Sequence, residues 1–127
     1  MRWEDRYLLV VHSGGFRSGQ KWGLPGGHVE HGEGGIETVR RELREELSVQ
    51  LDEFELIGDF YYKRHNHRIY GAHLAEPIAR FDRRELLKIA WFPLDSVKQL
   101  ARDNNLHAGY EADAIAQFST ITLPPAQ

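Results

Sequence analysis

Glu42, Glu45 and Glu46 stand within five residues of one another, and they close a stretch from Glu30 that holds six glutamates. Ionised carboxylates packed this tightly repel. A bound divalent cation relieves that repulsion, and an all-oxygen set suits a hard ion such as magnesium, which keeps open positions for water and phosphate oxygens. The chain has no cysteine, so a zinc–thiolate centre is excluded and any metal must be held by oxygen or imidazole.

Such side chains need an element to aim them. Ile36, Val39, Leu43 and Leu47 recur at spacings of three, four and four, which predicts a helix from about Gly35 to Leu47 with a single apolar stripe. At roughly 100° per residue the three glutamates then share an arc of roughly 100° beside the Val39 edge of that stripe. Gly26 and Gly27 lie in a turn where backbone can approach closely, so a carbonyl there is a further candidate ligand. A solvated helix face laced with pairs such as Glu37 and Arg41 accounts for the same residues without a metal.

The remaining elements are short. Tyr7–Val11 reads as a buried strand, Ser13–Gln20 as a glycine-containing loop, and Val49–Tyr62 as a strand. Lys63–Arg68 reads as a polar turn and Ile69–Ala75 as the returning strand of a hairpin. Ile89–Phe92 is another strand, closed by Pro93. Asp95 is the expected N-cap of a helix to about Ala101, and Glu111–Phe118 the last helix. Mixed strands and helices give an α+β or mixed α/β class.

The spacing Gly27-x5-Glu33-x7-Arg41-Glu42-Leu43-Arg44-Glu45-Glu46-Leu47-Ser48-Val49 resembles the Nudix box, G-x5-E-x7-R-E-U-x-E-E-x-G-U with U aliphatic. Every defined position agrees except the last glycine, here Ser48. Trp22-Gly23-Leu24-Pro25-Gly26-Gly27 is similar to the family's lead-in, and Glu85–Pro93 to a later strand of MutT-type members. The resemblance implies an α/β/α sandwich around a central mixed sheet. It implies magnesium, with manganese as substitute, held by Glu42, Glu45 and Glu46, with support from Glu33 and the Gly26 carbonyl. Arg41 matches an arginine that orients a glutamate. The general base is left among Glu45, Glu46 and, outside the box, Glu85. A surface acid beside Arg83 and Arg84 is the other reading of Glu85.

The reaction class implied is hydrolysis of a nucleoside diphosphate linked to another group. A nucleoside triphosphate pyrophosphohydrolase is favoured; ADP-ribose, dinucleoside polyphosphates and nucleotide sugars stay open. A non-catalytic nucleotide sensor on the same fold is the alternative. Arg17, Lys21, Trp22 and His28 are the candidate substrate-binding residues, the first two for phosphate and Trp22 for stacking on a base. Phe16, Tyr61, Tyr62 and Tyr70 are further stacking candidates, with core packing as the other use of such rings.

Two departures matter. Ser48 stands where a left-handed glycine ends the helix, so we expect a stability cost of about 1 kcal/mol there and no lost ligand. Only five residues precede the strand that begins near Arg6, so the first strand of the fold is expected to be short or missing. An edge left open in that way would invite a homodimer. The 127 residues suit one domain. A net charge of -3 gives no basic field for a nucleic-acid polymer. With no spanning run and no signal peptide, a cytoplasmic location and no membrane partner are expected.

Overall fold

The computed structural model describes residues 1–13, 20–25 and 35–121. Strand β2 (Arg6–His12) is the axis of the molecule. Its run Tyr7-Leu8-Leu9-Val10-Val11 is buried throughout, as befits a strand covered on both faces. Side chains alternate across a strand. Tyr7 and Leu9 therefore join Val97, Leu106, Ile115 and Phe118 on one side. Leu8 and Val10 join Leu43, Leu47 and Leu86 on the other. The first cluster belongs to helices α2 (Leu94–Arg102) and α3 (Glu111–Thr120), the second to helix α1 (Gly35–Leu47). Helix, sheet and helix pair form three layers, and the expected sandwich is borne out.

The sheet is mixed. Two-residue β1 (Arg2–Trp3) pairs antiparallel with β2 and parallel with β5 (His73–Leu74), and β6 (Leu86–Pro93) lies antiparallel on the far side of β2. The first strand is thus short but present. The edge expected to invite a second copy is met from within the chain, where the Arg2 N–H donates to the Ala72 carbonyl at 2.8 Å.

Strands β3 (Glu55–Tyr62) and β4 (His65–Gly71) form a separate two-stranded hairpin. Here the sequence reading needs correction. The strand starts at Glu55, not Val49. Leu51 and Phe54 pack on the α1 side of the core from a segment whose carbonyl at Asp52 accepts a 3.0 Å bond from Arg40, so burial came without strand pairing. The turn is only Lys63-Arg64, with φ of 48° and 68°. Two left-handed residues in succession fit a two-residue hairpin loop. The polar residues His65–Arg68 that suggested a longer turn are strand residues, facing Tyr62 to Asp59 across the hairpin.

Two helix starts also differ. Strand β6 runs through Pro93, which itself is the N-cap of α2 without a side-chain bond. Asp95 lies in the first turn, where it acts on the helix dipole. Helix α3 begins after Tyr110, again without a side-chain cap, and Glu111 turns back instead. Its Oε2 accepts the Ala108 N–H at 2.9 Å and its Oε1 the Gly109 N–H at 2.7 Å. No helix among the described residues is long and apolar enough to cross a membrane.

Candidate active site

Helix α1 keeps its predicted limits but rotates its buried face. Leu43 and Leu47 are buried, whereas Ile36 at the start of the expected stripe is 37% exposed. The buried face shifts toward Glu46, which is only 2% exposed. A carboxylate taken that far out of water needs charge or hydrogen bonds. Arg41 stands one turn before the neighbouring Glu45. Its Nη1 lies 2.9 Å from Glu42 Oε1 and 3.0 Å from Glu45 Oε2. One guanidinium thus spans two of the three carboxylates of the box that lie in the second half of α1.

The helix ends as Ser48 requires. Its φ is 55°, in the left-handed region, and its N–H donates to the Arg44 carbonyl at 3.1 Å. The Val49 N–H adds a bond to the Leu43 carbonyl at 3.3 Å, and together they close the last turn as they would with a glycine.

The loop that carries Glu85 is tied to this helix through Asp82. The Asp82 N–H donates to the Glu46 carbonyl at 2.8 Å, so the loop before β6 is tied to the end of α1. Asp82 then shapes the loop, its Oδ1 accepting the Arg84 N–H at 2.9 Å. The Glu85 carbonyl accepts the Ser13 N–H at 3.0 Å. The carboxylate ends exposed, near enough for its charge to be felt at both Glu42 and His12. Burial pushes the Glu42 carboxyl above the usual range; Arg41 opposes this, and Glu45 and Glu85 add to it.

His12 was not anticipated. It follows the apolar run of β2 directly, and no spacing in the sequence links it to the box. Its Nδ1 lies 3.7 Å from Glu46 Oε2 and its Nε2 3.4 Å from the Leu24 carbonyl. Burial, first, holds the imidazole below its ordinary pKa, and the charge of His107 acts in the same direction. The Leu24 carbonyl and the charge of Glu85 oppose the shift, and the net effect favours the neutral ring, so its approach to Glu46 is weighted toward a polar contact.

The other anticipated residues divide. Trp22 is half-buried against the α2–α3 side of the core. Its ring meets the Phe92 edge at 5.0 Å and lies under Lys88 Nζ at 5.4 Å, so its faces are already engaged. Its backbone brackets the α2–α3 loop: the Trp22 N–H donates to Asn105 and the His107 N–H donates to Trp22. Lys21 is half-buried in the same segment. Tyr70 sets its hydroxyl against Gly35, where a Cβ would come within 2.9 Å. Gly26, His28, Glu33, Arg17 and Phe16 lie outside the described residues.

Among the described residues no three His, Asp or Glu side chains stand assembled as a metal cage. The donors nonetheless fit a hard cation. They are all oxygen; Glu46 is buried, the charges of Glu45 and Glu85 bear on Glu42 in a repulsion that a cation would relieve, and Arg41 supplies the positive charge that a cation would contest.

Residues 2–113 match the NUDIX domain family. The chain belongs to that family. Its members hydrolyse nucleoside diphosphate derivatives and generally use divalent cations. The nucleoside triphosphate pyrophosphatase/Nudix hydrolase fusion protein of Bifidobacterium longum (strain NCC 2705) is 34% identical over 100 residues, 72% of this chain. The chain spans only 20% of that protein's length. The MutT NUDIX hydrolase of Burkholderia pseudomallei is 30% identical, with a TM-score of 0.60 over 75% of this chain and 78% of its own. The MutT protein of Methanosarcina mazei Go1 is 24% identical with a TM-score of 0.70, covering 93% of this chain and 86% of its own. At that identity it speaks for the fold.

Proposed function

We propose that this Nudix domain hydrolyses a phosphoanhydride bond in a small nucleoside diphosphate derivative, a nucleoside triphosphate first among them. The observation that carries the reading is the shared grip of Arg41 on Glu42 and Glu45 beside the buried carboxylate of Glu46. A surface helix gains little from such a pair network. A site that must keep several carboxylates ionised and aimed gains its function from it.

Glu42, Glu45 and Glu46 are the residues to hold magnesium, or manganese in its place, with Glu33 and the Gly26 carbonyl completing the set. When bound, the cation neutralises the diphosphate and lowers the pKa of the attacking water. Arg41 keeps Glu42 and Glu45 aligned between turnovers. Glu85, exposed and electrostatically coupled to Glu42, accepts the proton of the water; Glu45 is the nearest alternative. The water oxygen bonds to phosphorus, the bridging P–O bond breaks, and a nucleoside triphosphate yields monophosphate and pyrophosphate. Lys21, with Arg17 and His28, meets the phosphates.

The test is a panel of nucleoside triphosphates, ADP-ribose, dinucleoside polyphosphates and nucleotide sugars, incubated with magnesium and with EDTA. Magnesium-dependent release of a nucleoside monophosphate from at least one class is expected. A panel left intact under all conditions overturns the proposal.

A further inference from the structure

Five aromatic rings from three separate elements meet in one cluster, and the chemistry above does not use them. Phe60 and Tyr62 come from β3, His67 from β4, and His107 and Tyr110 from the loop between α2 and α3. Phe60 stacks on Tyr110 at 5.3 Å with planes 20° apart. Tyr62 meets His67 at 6.0 Å, His107 at 5.7 Å and Tyr110 at 6.5 Å. His67 meets Tyr110 at 5.8 Å.

Packing alone would bury such a cluster. Instead His107 is exposed, and Tyr62, His67 and Tyr110 are half-buried. Each of these four also carries a polar ring edge able to donate or accept a hydrogen bond. The cluster is joined to the carboxylate site through the segment 22–24. His107 is fixed by its N–H bond to the Trp22 carbonyl at 2.7 Å. Two residues on, the Leu24 carbonyl lies 3.4 Å from His12 Nε2, and His12 Nδ1 stands 3.7 Å from Glu46 Oε2. A path of residues therefore leads from the box carboxylates to the rings.

We propose that Tyr62, His67, His107 and Tyr110 form the platform that binds the nucleobase of the substrate, and that it favours a purine over a pyrimidine. This rests on the acidic helix taking the diphosphate. Aromatic faces stack on any base, and the surface of several adjoining rings is covered more fully by two fused rings than by one. The phenol and imidazole edges then meet the polar edge of the base.

Equilibrium binding with magnesium tests it, using three probes that resist hydrolysis at the bridging position. They are α,β-methylene-ADP, α,β-methylene-UDP and base-less methylenediphosphonate. The wild type is expected to bind the adenosine probe most tightly. Tyr62→Leu should weaken that probe on the order of tenfold relative to methylenediphosphonate, the range of a lost stacking contact. Tyr62→Phe, which keeps the ring, should restore it. His107→Ala, at an exposed position that the fold does not need, should lower the same ratio.

An adenosine probe bound no more tightly than methylenediphosphonate overturns the platform, and so does an unchanged ratio in both Tyr62→Leu and His107→Ala. Equal affinity for the adenosine and uridine probes overturns the purine preference. If nucleotides are hydrolysed but the ratio does not respond, the platform falls and the hydrolase reading stands. If the ratio responds while no nucleotide is hydrolysed, the hydrolase reading falls and the platform stands.

Discussion

Single residues in this site are set by burial as much as by charge. Glu46 is nearly sealed from water, Glu42 is held above its usual pKa by burial, and His12 is held below its own for the same cause. Tyr110 gives the most accessible test. Burial, aided by the charge of Glu111 and by Tyr62, raises its phenol from 10.0 to about 12. The folded protein keeps that proton where the unfolded chain has lost it. The contribution to stability is therefore full below pH 10 and is lost as pH rises through about 12. For a half-buried ring, screened by solvent, we expect a contribution of about 1 kcal/mol. Tyr110→Phe should flatten the fall in urea stability between pH 10 and 12. An equally steep fall in the variant would show that another group is responsible.

At the scale of the element, the end of helix α1 carries a measurable strain. Ser48 sits at φ 55° although a side chain there crowds the backbone. Ser48→Gly should stabilise the protein by about 1 kcal/mol, a rise in Tm of roughly 3–6 °C for a domain of this size, with kcat unchanged. A lower Tm would contradict this. The helix and its ending were legible in the sequence because they depend on local rules. The three- and four-residue spacings set the helix, and the single departure from the box marked the left-handed residue. The segment 49–54 was not legible. Leu51 and Phe54 are apolar because they cover the core, and apolar character alone does not say whether a covering segment pairs as a strand. His12, His107 and Tyr110 were missed for a related reason. They are far apart in sequence, and only the layering of β2 against two helices brings them to one end of the molecule.

Across the whole molecule, the hairpin β3–β4 makes no strand pairing with the main sheet among the described residues; it joins that sheet through Ala72, between β4 and β5, and side-chain packing sets how it sits. Gly71 is the tightest point. A Cβ there would come within 2.6 Å of the Phe118 ring, which is itself locked between Tyr7 at 6.2 Å and His73 at 4.8 Å. Phe118 cannot retreat without disturbing β2 and β5 together. Gly71→Ala should cost on the order of 1–3 kcal/mol and, by shifting the hairpin, should raise KM for nucleotide more than it lowers kcat. A variant as stable as wild type in urea would show that the contact relaxes freely.

The central claim is that the carboxylates of α1 perform magnesium-dependent hydrolysis. Its most direct test is the kcat of Glu46→Gln on the nucleotide that wild type turns over best. The substitution keeps the shape of the side chain and removes its charge, so circular dichroism should remain that of wild type. We expect kcat to fall at least about 100-fold, the order seen when a group acting on the transition state is lost. A Glu46→Gln protein that keeps the full wild-type rate would contradict the account.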